Sequence, residues 1–204
     1  MRKKIALLFA CILMLSVVMQ LYLILQNRTA GITETLVRFF SFFTILTNTL
    51  AAFYFTVQFT GKKILSNPGS LTAIAVYITI VGLVYQIVLR PLWQPTGLQK
   101  PVDEMLHSVN PLLVILYWYL YEARRLVQYR QIAGWLIYPL LYLIVILIRG
   151  SLSGFYPYPF VNILQIGWQQ TFINAGVLFV VFAVMGLFFV FLGKKLSAIK
   201  NDTQ

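Results

Sequence analysis

The stretch that decides the reading is "RFFSFFTILTNTL", residues Arg38 to Leu50. It lies inside a long apolar run, yet it carries an arginine, a serine, three threonines and an asparagine. In hydrocarbon, polar side chains are costly and turn toward a bundle interior or a wet cavity. Whether the run spans a membrane is therefore the first question, and what its polar groups face is the second.

Composition answers the first. Of 204 residues, 60% are hydrophobic and 10% charged, with a mean hydropathy of +0.82. Apolar runs of roughly 18 residues or more read as spanning helices. Six such segments are expected near 4–26, 34–60, 71–92, 104–123, 132–152 and 168–194, forming one all-α polytopic domain over 1–204. The breakers fall between them, in "NRTAGIT", "TGKKILSNPGS", "RPLWQPTGLQKPVDE", "RRLVQYRQ" and "GFYPYPFVN". The apolar core of the first segment, about 20 residues, is longer than the 7–15 of a cleaved signal, so it reads as a retained helix. The tail "SAIKNDTQ" reads as a frayed end.

The formal charge of +11 does not indicate nucleic acid, because the basic residues form short clusters between apolar runs instead of one stripe. Alternating sides at each helix puts Arg2, Lys3, Lys4, Lys62, Lys63, Arg124, Arg125, Arg130, Lys194, Lys195 and Lys200 on one side. The other side receives Arg28, Arg38, Arg90, Lys100 and Arg149. By the positive-inside rule both termini are expected in the cytoplasm. One cysteine and one histidine argue against a protein-built metal or haem site, and no cofactor is expected.

For the second question, the run is treated as one helix turning 100° per residue. Glu34, Arg38, Ser41, Thr44 and Asn48 then share an arc of about 120°, and Thr47 falls outside it. Ordinary helix packing accounts for any one of these groups, since Ser, Thr and Asn hydrogen-bond across membrane helices and Arg snorkels. Their depth adds weight. Thr44 lies about 9 Å below Arg38, and His107 about 5 Å below the acidic pair Asp103–Glu104, in the same outer half. Gln86, Arg90, Arg149 and "WQQTFIN" gather there too. Pro111 lies within the fourth segment, removes the bond to the His107 carbonyl and predicts a kink beside the imidazole. A hydroxyl beside a neutral imidazole is the minimum for nucleophilic acyl transfer.

The "FFTILTN" of the second segment, "LHSVNPLL" of the fourth and the "GFYPYPFVN" loop resemble the androgen-induced membrane hydrolase family. With "YQIVLRPLWQPTG" they most resemble its short bacterial six-helix relatives, over most of the chain and in the same order. The animal members use a threonine in a Phe-rich helix and a histidine in another to hydrolyse fatty-acid esters of hydroxy fatty acids. The resemblance implies Thr44 as nucleophile and His107 as base, acting on a lipid ester in a bacterial cell membrane. Asn48, Ser41 and Asn110 are the candidates to stabilise an oxyanion or orient the pair. Arg38, Arg90 and Arg149 are the candidates to hold a substrate carboxylate, and Tyr156 and Tyr158 to close the site. A transporter or lipid-binding protein, or a non-enzymatic bundle that assists another membrane protein, is the competing expectation. A transport path, however, should carry polar groups through both halves of the membrane.

Overall fold

Apolar chain in hydrocarbon must satisfy its own backbone, and helices do so within one segment. The computed structural model describes residues 1–202, with side chains described through residue 198. It is helical, with no strand among the described residues. Thr203 and Gln204, the last of the expected frayed end, lie outside the described residues, as does the side chain of Lys200.

The first helix, α1, spans Arg2–Gln26. Residues 34–60, expected as one helix, form two: α2 (Ile32–Phe39) and α3 (Phe43–Thr60), bent by 72° across residues 40–42. The single wheel drawn through Arg38 and Asn48 therefore does not hold across the break. Next comes α4 (Ser70–Val84), which continues as a π-turn over Tyr85–Leu89. The fourth segment starts earlier than expected, as α5 (Gln99–Glu104), passes through a second π-turn over Met105–Val109, and continues as α6 (Asn110–Tyr121). α7 (Gln131–Trp135) and α8 (Ile137–Ser153) run on almost without pause. The last, α9, covers Ile163–Asp202, with a non-helical Gly167 near its start.

By length and apolarity four helical stretches suffice to cross a membrane: Arg2–Gln26, Ser70–Leu89, Gln131–Ser153 and Ile163–Ala198. The bent pair α2–α3 makes a fifth. The stretch from Gln99 to Tyr121 is long enough, but Asp103, Glu104, His107, Ser108 and Asn110 lower its apolarity. The chain is thus a helical membrane protein with four to five apolar spans, and the segment left over carries the lone histidine.

α3 and α4 carry much of the buried core. On α3, Phe43, Thr44, Ile45, Thr47, Asn48, Ala51, Ala52, Tyr54, Phe55 and Val57 are all buried, so polar and apolar side chains share its enclosed face. That is why Thr47, outside the expected polar arc, is also fully enclosed; its hydroxyl lies 3.3 Å from Tyr138 Oη on α8. At one end, Phe9, Phe55 and Tyr117 interlock edge to face at 4.9–6.1 Å. A smaller cluster joins Val17, Leu23, Phe39, Ile45, Val102 and Leu106, of which Leu23, Phe39, Ile45 and Leu106 line a cavity together with His107.

The "YPYPF" loop is held against α8 and α9. The Tyr156 ring lies on the backbone of Gly150 so closely that a Cβ there would clash with its Cε1. Asn174 Nδ2 donates to the Phe160 carbonyl at 2.9 Å, so the expected polar group of the last helix anchors the loop. Gly150→Ala should therefore push Tyr156 off α8 and destabilise the protein by about 1–3 kcal/mol, as overpacking generally does. A thermal unfolding scan in detergent will read this as a lower midpoint than wild type.

Candidate functional site

His107 sits in the second π-turn, a distortion common at functional sites. Its ring stacks on Tyr85 of the first π-turn, with centroids 4.0 Å apart and planes 13° from parallel. The two distorted turns thus face each other. Where a kink was expected beside Pro111, the chain forms this π-turn. The freed His107 carbonyl points at Gly82, where an added Cβ would stand 3.0 Å from it.

His107 Nδ1 lies 2.9 Å from the backbone carbonyl of Asp103. A carbonyl only accepts, so Nδ1 carries the proton and Nε2 is left as the acceptor. Thr44 Oγ1 is 3.3 Å from Nε2, in position to donate. The juxtaposition expected from the sequence is therefore present. Asp103 itself was not among the expected site residues. Its Oδ1 lies 3.5 Å from Nδ1, and its Oδ2, although buried, meets no hydrogen-bond partner among the described residues. The spacing of four between Asp103 and His107 is a helical one and was the signal available in the sequence.

The break at residues 40–42 determines how Thr44 is presented. α3 begins at Phe43, so Thr44 is the second residue of the helix and its N–H has no partner in the helical ladder. That N–H donates to Tyr158 Oη at 3.3 Å, and the same Oη is 3.4 Å from Thr44 Oγ1. The nucleophile candidate thus stands at a helix N-terminus, where partial positive charge favours a developing anion. On the other side of the break, Tyr142 Oη donates to the Ser41 carbonyl at 2.8 Å.

Asn48 links the two partners. Its Nδ2 donates to the Thr44 carbonyl (2.9 Å) and the Leu106 carbonyl (3.3 Å), and its Oδ1 accepts from Asn110 Nδ2 at 2.7 Å. Asn110 also donates to Ser16 Oγ at 2.7 Å, extending the chain of bonds to α1. With both Asn48 N–H groups on backbone carbonyls, its geometry fits the orienting role and leaves nothing for an oxyanion. Ser41 takes no part: its hydroxyl donates back to the Val37 carbonyl at 2.6 Å.

The three candidate arginines are each paired within the protein. Arg38 and Arg149 both bind Glu34, at 2.8 and 3.0 Å, and both stack on the Phe155 ring at 4.7 and 4.8 Å. Arg90 pairs with Glu104 and Gln86. Each guanidinium already has a carboxylate partner, and none lines a cavity at Thr44. Their contacts hold the loop and the π-turns in place. Tyr158 is at the site, as the closing role requires, whereas Tyr156 packs on Gly150.

Two cavities meet at Thr44. One, of about 800 Å³, is bounded by Leu23, Ile24, Phe42, Asp103, His107 and the loop through Trp93. The other, of about 90 Å³, lies between α4, α8 and α9. Thr44, Leu89 and Tyr158 belong to both. No cluster of three or more metal-ligating side chains occurs among the described residues. Comparison of the chain with protein-family models, curated proteins and solved structures found no match.

Proposed function

We propose that the protein is an intramembrane hydrolase of lipid esters, with Thr44 as nucleophile and His107 as general base. The observation that carries this reading is the 3.3 Å approach of Thr44 Oγ1 to His107 Nε2, with Nδ1 bound to the Asp103 carbonyl. That tautomer is the one able to take the hydroxyl proton.

In the proposed cycle, Thr44 Oγ adds to the ester carbonyl as its proton passes to Nε2. The oxyanion lies beside the Thr44 N–H and the Tyr158 hydroxyl at the head of α3. Collapse breaks the bond to the alcohol oxygen, which takes the proton from Nε2 and leaves. Water then attacks the acyl-threonine, giving its proton to Nε2; collapse breaks the acyl–Oγ bond, Thr44 Oγ takes that proton back from Nε2, and the acid is released. The Asp103 carboxylate favours the transient imidazolium. The cycle calls for no cofactor. The resemblance in the Phe-rich and histidine motifs points the same way.

The same reading gives six crossings, with α5 and α6 as the polar one and both termini in the cytoplasm of a bacterial cell. Supporting this, Arg2 bonds Gln58 at one end of the bundle, at 2.8 Å, while Arg38 and Arg149 lie at the end that carries Thr44.

The test is to incubate the purified protein in lipid nanodiscs with a fluorophosphonate probe and locate the adduct by mass spectrometry. Attack on phosphorus with loss of fluoride should leave the adduct on Thr44. A folded protein with no adduct, or one modified elsewhere, overturns the reading. Asp103→Asn should slow labelling by roughly 10–100-fold. That is less than the ~10⁴ lost when a triad carboxylate also sets the tautomer, because here a backbone carbonyl sets it. Time courses of labelling at neutral pH measure the difference.

A further inference from the structure

Hydrolysis at Thr44 has two substrate halves to place, and the two cavities differ in the one group that separates them. His107 lines the large cavity only. On the proposed function, its Nε2 must hand a proton to the departing alcohol oxygen, so that half has to lie on the His107 side. The acyl half then points the other way, across Thr44 and Tyr158. That direction leads into the smaller cavity, walled by Ile80 and Val84 of α4, Leu143 of α8, and Ala175 and Phe182 of α9.

We infer that the cleft between α4, α8 and α9 is the acyl subsite, and that the 800 Å³ cavity receives the alcohol half and, after it leaves, the water. The cleft lining is apolar apart from Thr44, Tyr158 and Tyr142, whose hydroxyl is taken up by the Ser41 carbonyl. Its volume of about 90 Å³ encloses three or four carbons, at the ~25 Å³ per carbon of a 150 Å³ cavity that holds benzene. At the far end Leu140 and Phe179 are 43% and 39% exposed, so the cleft opens between α8 and α9. These two helices are also the least enclosed of the four long spans, with 17% and 28% of their most apolar windows buried, so the opening faces lipid. The first carbons of a saturated acyl chain are held next to Thr44 and the remainder projects into the bilayer. Chain length is therefore loosely read beyond the first few carbons, and the width of the cleft is the selective feature.

Ala175 is buried on the cleft wall, and Ala175→Leu adds three carbons, about the whole free space. The experiment measures p-nitrophenyl acetate, butanoate and octanoate on protein in nanodiscs. It also measures octanoyl esters of two alcohols of different size, p-nitrophenol and 4-methylumbelliferone. Ala175→Leu should lower the octanoate-to-acetate rate ratio at least ~10-fold, the lower end of what a single misfitting methylene changes in a pocket. The ratio between the two alcohols should stay the same. Leu143→Phe, on the facing wall, narrows the same space and should move the same ratio should Ala175→Leu not fold. Ile24→Trp, in the large cavity, should move the alcohol ratio and leave the acyl ratio. The reverse pattern, or an unmoved acyl ratio in both cleft variants, overturns the subsite assignment and leaves the hydrolase intact. Absence of turnover by folded wild-type protein on every ester overturns both.

Discussion

Thr44→Ala should abolish covalent labelling and ester turnover, lowering the rate by at least ~10³-fold, as loss of a catalytic nucleophile does elsewhere. Two neighbouring substitutions give this result its meaning. Thr44→Ser keeps an oxygen at the same place and should retain activity within about tenfold of wild type. Thr47→Ala removes a hydroxyl one turn further on in the same buried helix, one that meets Tyr138 Oη at 3.3 Å. It should label like wild type while losing about 1 kcal/mol of stability, the usual net worth of one hydrogen bond. Labelling rates and unfolding midpoints on the three variants separate the reactive hydroxyl from a structural one. A Thr44→Ala protein that still labels, with the adduct elsewhere, shows that the nucleophile is another residue.

How much of this was open to a reader of the sequence differs from residue to residue. Thr44 and His107 stood out because each is expensive in hydrocarbon and both lie at similar depth; that depth permits their contact, and the packing of α3 against the second π-turn makes it. The break before Thr44 left no such trace, because residues 40–42 contain neither proline nor glycine. It is held open by two tyrosine hydroxyls: Tyr142 takes the freed Ser41 carbonyl, and Tyr158 takes the freed Thr44 N–H. Both come from about a hundred residues downstream, so no local pattern announces them. The pairing of the arginines was hidden for a related reason. Glu34 sits four residues before Arg38, a visible pair, but its capture of Arg149 as well depends on how α8 meets α2. The 10% charge content likewise did not show that each of the three arginines has an acidic partner. Asp103 was legible by spacing alone, and the polarity of its segment is what holds the stretch from Gln99 to Tyr121 below the apolarity of the other spans.

Removing the imidazole should be nearly as damaging as removing the hydroxyl, and His107→Phe is the substitution that isolates its chemistry. An alanine would lose the ring stacked on Tyr85 at 4.0 Å and loosen the contact between the two π-turns. Phenylalanine keeps a ring there but has neither nitrogen, so the Asp103 carbonyl loses its donor at a cost of about 1 kcal/mol. Turnover should fall by about 10²–10⁴-fold, the usual worth of a positioned general base, while thermal unfolding shifts by only a few degrees. In wild type the rate should also fall on the acid side, because a protonated Nε2 accepts nothing from Thr44; the His107→Phe residual rate should lack that limb. A second arm uses the space the ring occupies. His107→Ala opens it to the 800 Å³ cavity, where added imidazole can diffuse next to Thr44 Oγ1. Imidazole in the millimolar range should then restore part of the His107→Ala rate and none of the Thr44→Ala rate. Full activity in His107→Phe would show that the histidine only packs between the π-turns, and that Thr44, if it reacts, is activated by another group.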